Sequence, residues 1–248
     1  MRIQAEAEGA DRVEKGRKLF VTDIHGEYRG LIELLREMDY DAFSDRLTVG
    51  GDLIDRGPDS ALVVRYLRTL HRMHPERVTV LTGNHEEMLK WYRADKTDMW
   101  LIHGGAEALA SFERTFEDEA ESRENLNWLL TLPMVAEDEE YVYTHAGFAP
   151  DRPLHEQSRD ILWMSEKEFY AYPCDTILRA TGGRPVVHGH TPCEFICFDG
   201  ARLNCDLGSQ TYAIRESRAL ALVDLTGGDY ALYNCASAEV TRRTWRKG

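Results

Sequence analysis

Gly51-Asp52-Leu53-Ile54-Asp55-Arg56-Gly57 follows an apolar run ending in Leu47-Thr48-Val49 and precedes a helical pattern that starts near Asp59-Ser60. A loop of this kind sits at the carboxyl end of a strand, where open α/β sheets bind ligands. Asp52 falls just beyond the strand, where one carboxylate can reach two cations. Asp55 and Arg56 follow on the turn to the helix. An acid for metal, an acid for orientation and a guanidinium for phosphoryl oxygens together describe a phosphate site. The bland alternative is a strand-to-helix turn whose Asp and Gly serve only the backbone.

Two neighbouring stretches repeat the pattern. Lys18-Leu19-Phe20-Val21-Thr22 reads as a buried strand running into Asp23-Ile24-His25-Gly26, and Val78-Thr79-Val80-Leu81 breaks into Gly83-Asn84-His85-Glu86. Residues two apart in extended backbone point the same way, so Asp23 and His25 converge, an oxygen and a nitrogen suited to a borderline divalent cation. Helices are predicted between these strands, one from about Arg29 to Met38 and one marked by Leu62, Val63, Tyr66, Leu67 and Leu70. Alternation of strand and helix predicts a parallel β-α-β-α-β unit with the three turns side by side. His71, His74, His103 and His155 have only helix-terminal or loop readings.

The chain has 248 residues, 43% of them hydrophobic, enough for one full core. Its formal net charge of −13 argues against a nucleic-acid or anionic-membrane partner, because phosphate backbones reward Lys and Arg. An anionic substrate must then be drawn in by a local metal or Arg field. Five cysteines without paired C-x-x-C spacing indicate neither a disulfide framework nor a zinc ribbon. No apolar run approaches a membrane span. These features give the expectation of a soluble, cytoplasmic protein.

The motifs D-x-H-G, G-D-x-x-D-R-G and G-N-H-E, with Thr144-His145-Ala146-Gly147 and Val187-His188-Gly189-His190-Thr191 further on, resemble the calcineurin-like metallophosphoesterases. Asp55-Arg56 and Glu86 resemble the phosphoprotein phosphatase branch, in its small bacterial form. Trp100-Leu101 with Gly104-Gly105, Leu162-Trp163, and Arg202-Leu203-Asn204-Cys205-Asp206 resemble connecting segments of the same enzymes. The resemblance runs from Lys18 to Tyr233. It implies an α/β fold of two packed mixed β-sheets flanked by helices.

Residue by residue, the resemblance implies a first cation on Asp23, His25 and Asp52, and a second on Asp52, Asn84, His145 and His190. It implies His85 as general acid with Asp55 holding its other nitrogen, and Arg56, Asn84 and His85 as phosphate-binding residues. An alternative keeps His85 as a further ligand or an N-capping residue. Two cations about 3.5–4 Å apart can activate a shared water and clamp a phosphoryl group for in-line displacement. Oxygen and nitrogen ligands without thiolate point to Mn²⁺ first, with iron or zinc as alternatives. His188 is expected beside the site without ligating.

The implied activity is that of a phosphomonoesterase of the serine/threonine protein phosphatase kind, acting on a phosphoprotein or small phosphate ester. The alternative is a dinucleoside polyphosphate hydrolase, against which Asp55 and Glu86 speak. A third reading is a non-catalytic, metal-dependent phosphate-binding scaffold. One departure stands out: an Arg common in the family shortly after Leu162-Trp163 is replaced by Met164-Ser165-Glu166. Arg159, Lys167, Arg179 and Arg184 are the candidate substitutes. Residues 1–16 are expected to be a loose acidic leader, 17–240 the single domain, 95–132 a helical cap-like region and 241–248 a basic, frayed tail. Asp199-Gly200 reads as a hairpin turn, and the C-terminal half as a second, more antiparallel sheet.

Overall fold

The computed structural model describes residues 16–245, so the expected leader lies almost wholly outside the described residues. Two sheets pack face to face. The first has the order β11-β10-β9-β1-β2-β3, formed by Lys18–Val21 (β1), Arg46–Val49 (β2), Val78–Val80 (β3), Ala219–Asp224 (β9), Asp229–Asn234 (β10) and Val240–Thr244 (β11). The second has the order β4-β5-β6-β8-β7, formed by Val135–Glu137 (β4), Val142–Thr144 (β5), Val186–His188 (β6), Cys197–Phe198 (β7) and Arg202–Asn204 (β8). Helices Tyr28–Glu37 (α1), Ser60–Met73 (α2), Asn84–Arg93 (α3), Ala106–Thr115 (α4) and Glu119–Leu129 (α5) precede β4. Glu166–Tyr170 (α6) and Cys174–Ala180 (α7) lie between β5 and β6.

The period-two alternation of strands explains the layers. In β1, Leu19 and Val21 belong to a core shared with Leu31, Leu34, Val63, Leu67 and Met88 of α1 to α3, while Phe20 belongs to the core between the sheets. There it stacks on Tyr143, ring centroids 6.0 Å apart. In β5, Tyr143 joins that inter-sheet core, and Val142 packs instead with Phe169 and Ile177 of α6 and α7. The layer order is therefore helix, sheet, sheet, helix.

β1, β2 and β3 are mutually parallel, as are β5, β6 and β8. The expected C-terminal antiparallel sheet is corrected in two respects. The second sheet is parallel in its middle and antiparallel only at β4 and β7, and the antiparallel strands β9, β10 and β11 extend the first sheet, joining it through β1. The predicted hairpin is present, with Gly200 at φ +100° between β7 and β8. The stretch read as a frayed tail from Thr241 continues as β11 to Thr244, paired along β10, and Trp245 is buried with its indole N–H donated to the Asp224 carbonyl at 3.2 Å. Among the described residues no helix is long and apolar enough to cross a membrane.

Candidate metal centre and phosphate site

The carboxyl ends of five parallel strands bring together the polar residues singled out in the sequence. Asp23 follows β1, Asp52 follows β2, Asn84 follows β3, His145 follows β5 and His190 follows β6. The turns are tight. Asp23, His25, Asp52, Asp55, Arg56 and His190 all have positive φ, between +46° and +75°, a region that non-glycine residues occupy at a cost and that clusters at functional sites. Bare backbone lets the carboxylates in. A Cβ on Gly83 would lie 2.1 Å from Asp52 Oδ1, and one on Gly189 would lie 2.1 Å from Asp23 Oδ2.

Two clusters of potential ligand atoms form, His25-Asp52-His85 and Asp52-His145-His190, each with all atoms within 4.8 Å of one another. Asp52 belongs to both, with one oxygen for each. Its Oδ2 is 3.5 Å from His25 Nε2, and its Oδ1 is 3.5 Å from His145 Nε2. His25 Nδ1 lies 2.9 Å from the Ile54 carbonyl and His145 Nδ1 lies 2.9 Å from the Gly50 carbonyl. Carbonyls only accept, so both Nδ1 atoms carry the proton and both Nε2 lone pairs face the site. Asn84 Oδ1 lies 3.0 Å from His145 Nε2 and 3.0 Å from His190 Nδ1. Lone pairs brought together in this way, with oxygen and neutral nitrogen donors and no sulfur, fit a divalent cation of the borderline class. Burial first, then the nearby His145, pushes the His190 imidazole down to about 3, which keeps it neutral.

The first expected ligand set is only partly drawn together. Asp23 is in neither tight cluster, and its Oδ2 accepts the Thr22 hydroxyl at 2.6 Å and the His190 N–H at 3.0 Å. His85 stands in the first cluster instead. Arg56 Nη1 sits 2.7 Å from His25 Nε2 and 2.8 Å from the Thr211 hydroxyl, so its guanidinium points at the first cluster.

His85 Nδ1 is 2.6 Å from Asp55 Oδ2, and Trp100 Nε1 donates to both Asp55 oxygens at 2.9 Å. Burial disfavours charge on both partners: it raises the Asp55 carboxyl well above its usual range and, ahead of the neighbouring His25 and Arg56 charges, lowers the His85 imidazole. Trp100 was visible in sequence only as part of a Trp-Leu and Gly-Gly pattern. Its role as the hydrogen-bond donor that orients Asp55 was not. Glu86 accepts the N–H groups of Asp52, Leu53 and Gly83 at 2.8–3.0 Å. It ties the central loop to the start of α3.

His188 turns away from the site. Its Nε2 is 3.2 Å from the Tyr170 hydroxyl and its ring meets Phe169 edge-on at 5.2 Å. Extended backbone would aim His188 and His190 alike, but His190 has φ +74° and breaks the alternation. Of the four substitutes for the missing Arg, Arg184 is bound to Glu137 and the Asp138 and Thr181 carbonyls, and Arg179 to its own helix. Arg159 reaches the first turn of α3, its Nε 2.5 Å from Glu87 Oε2. Among the described residues no hydrogen bond or ion pair joins Lys167 to the site.

Strand-end carboxylates, histidines and an amide gathered around one shared aspartate form two candidate cation clusters of the kind a metal-dependent phosphoesterase uses. The chain belongs to the calcineurin-like phosphoesterase family, which it matches over residues 16–215. It is 26% identical to a symmetrical bis(5'-nucleosyl)-tetraphosphatase of Vibrio vulnificus, over 81% of this chain and 75% of that one. It is 31% identical to the enzyme of the same name from Buchnera aphidicola, over 53% of this chain and 44% of that one. The chain thus spans about half the length of the curated relatives it matches at that level. In structure it resembles a putative diadenosine tetraphosphatase (TM-score 0.59, 22% identity, 95% and 96% of the two chains). It also resembles a protein serine/threonine phosphatase from Saccharomyces cerevisiae (0.62, 14%, 95% and 81%). At these identities the likenesses concern the fold.

Proposed function

We propose that the chain hydrolyses dinucleoside polyphosphates, the kind of substrate for which its curated relatives are named. What carries this reading is the likeness to those relatives, and the engagement of Asp55 and Glu86 leaves room for it. In sequence these acids spoke against an anhydride substrate. Glu86 is spent on three backbone N–H groups, and Asp55 on Trp100 and His85, so neither presents a free carboxylate to a polyphosphate. A cavity of about 580 Å³ is lined by Leu207, Tyr212, Ile214, Leu232 and Arg243, with Glu194 and Glu216 also on its wall. It offers an aromatic and apolar place for a nucleoside.

Asp52, His25, Asn84, His145 and His190, with Asp23 beside them, would hold two divalent cations, Mn²⁺ foremost. Such cations polarise the phosphoryl group and supply a nucleophilic oxygen at neutral pH. Arg56 binds phosphoryl oxygens through its planar fork, which a point charge such as Lys would not match. Asn84, with Oδ1 beside His145 Nε2 and His190 Nδ1, would help hold the second cation. His85 Nε2 faces the site and delivers a proton to the leaving oxygen, while Asp55 stabilises the imidazolium. Against a net charge of −13, the cations and Arg56 would supply the local positive field that draws a small anionic substrate in, and such a substrate suits a cytoplasmic enzyme.

The Asp55-His85 pair favours a second reading, a phosphomonoesterase acting on phosphoproteins, because an alkoxide leaving group needs a proton more than a phosphate does. Turnover of diadenosine tetraphosphate, a phosphoserine peptide and p-nitrophenyl phosphate with Mn²⁺ separates the two. The proposal expects the largest kcat/KM for the tetraphosphate. A phosphopeptide turned over tenfold more efficiently would replace it with the second reading.

A further inference from the structure

Five parallel strands each deliver one polar residue to the site, and the sixth has no assigned role. β8 runs parallel to β6, with His188 opposite Asn204, so both end on the same edge. Asp206 stands two residues past the end of β8, as His190 stands two past β6. Its side chain is 2% exposed. Oδ1 accepts the Gly208 N–H at 2.7 Å, whereas Oδ2 is buried and has no hydrogen-bond partner among the described residues. The charged groups facing it are Asp23, then Asp52 and Arg56. Arg56 is already committed to His25 and Thr211. A buried carboxylate oxygen left unpaired beside two other carboxylates is costly unless positive charge is brought to it.

We infer that Asp206 is a positioning acid of the cation centre, its free Oδ2 adding a third carboxylate charge beside Asp23 and Asp52. The inference rests on the dinuclear reading of the site. Asp206 belongs to neither tight ligand cluster, so it acts from just outside them, as the partners around metal ligands commonly do. The buried surroundings and the two neighbouring acids raise its carboxyl well above the ordinary range when no cation balances it.

Asp206→Asn keeps the shape and the Oδ1 acceptor for Gly208 while removing the charge. Titration of the metal-free wild type and of this variant with Mn²⁺, followed by calorimetry, tests the proposal. The expected result is two cations on the wild type, with one of the two affinities weakened about 10- to 100-fold in the variant and the other retained. Wild-type binding at both sites in the variant overturns this proposal alone, whereas a wild type that binds no cation overturns the dinuclear reading as well. If the variant does not fold, a crystal of the wild type grown with Mn²⁺ decides the matter. Oδ2 bonded to a cation, or to a water on one, supports the inference; Oδ2 bonded only to protein groups refutes it.

Discussion

His85 is the residue whose role depends most on what it is asked to protonate. A general acid typically contributes about 10²- to 10⁴-fold, and its benefit grows with the basicity of the leaving oxygen. His85→Asn should therefore lose most with a phosphoserine substrate and least with p-nitrophenyl phosphate or a polyphosphate, with metal content unchanged. A uniform deficit across that series would make His85 a ligand, as its place in the first tight cluster allows. Asp55→Asn should show the same trend more weakly, because Trp100 still holds position 55. Glu86→Ala belongs to a different class. It orphans three buried N–H groups, each worth roughly 1–3 kcal/mol, so chemical denaturation should show a loss of several kcal/mol without any dependence on leaving group. At this scale the sequence was informative where a residue sits in a short motif, as Asp52, Asn84 and His145 do. It was silent where the partner is distant in the chain: Trp100 meets Asp55 across 45 residues, and no local spacing records that.

At the scale of elements, the strand ends explain both what was legible and what was not. Period-two strands and amphipathic helices set the order β1-α1-β2-α2-β3-α3, and the expected helix from Arg29 to Met38 is present as Tyr28–Glu37. Side-chain direction past a strand end depends on single φ values that the sequence does not print, which is why His188 and His190 could not be told apart by alternation. The two now make different predictions. Burial pushes the His188 imidazole down to about 4 from 6.5, so it stays neutral in the fold while the unfolded chain takes up a proton first. Its contribution is intact above pH 6.5 and disappears as pH falls toward 4. His188→Gln should therefore lose less stability than the wild type between pH 7 and pH 4.5 in urea unfolding of the metal-free protein. Parallel curves would mean that His188 is not buried neutral.

At the scale of the whole molecule, two sheets meet so that parallel strands from both end on one edge, and a single carboxylate links the two ligand clusters. The pairing of β9 with β1 joins residues some two hundred positions apart and could not be read from local pattern, so the last three strands were assigned to the wrong sheet. The basic stretch after Val240 looked like a tail because Arg242, Arg243 and Arg246 mask a strand whose partner lies on β10. Removing residues 240–248 should lower the melting temperature measurably, because it strips the β10 edge and uncovers Trp245's site on the inter-sheet core. Asp52 is placed to bridge two cation sites, with Oδ2 on His25's side and Oδ1 on His145's. The most direct measurement of this bridge is cation stoichiometry by calorimetry and elemental analysis on wild type and Asp52→Asn. Two divalent cations per wild-type chain, and the loss of both from the variant, are expected. Two cations retained by Asp52→Asn, or a wild type that holds none, would contradict the bridge.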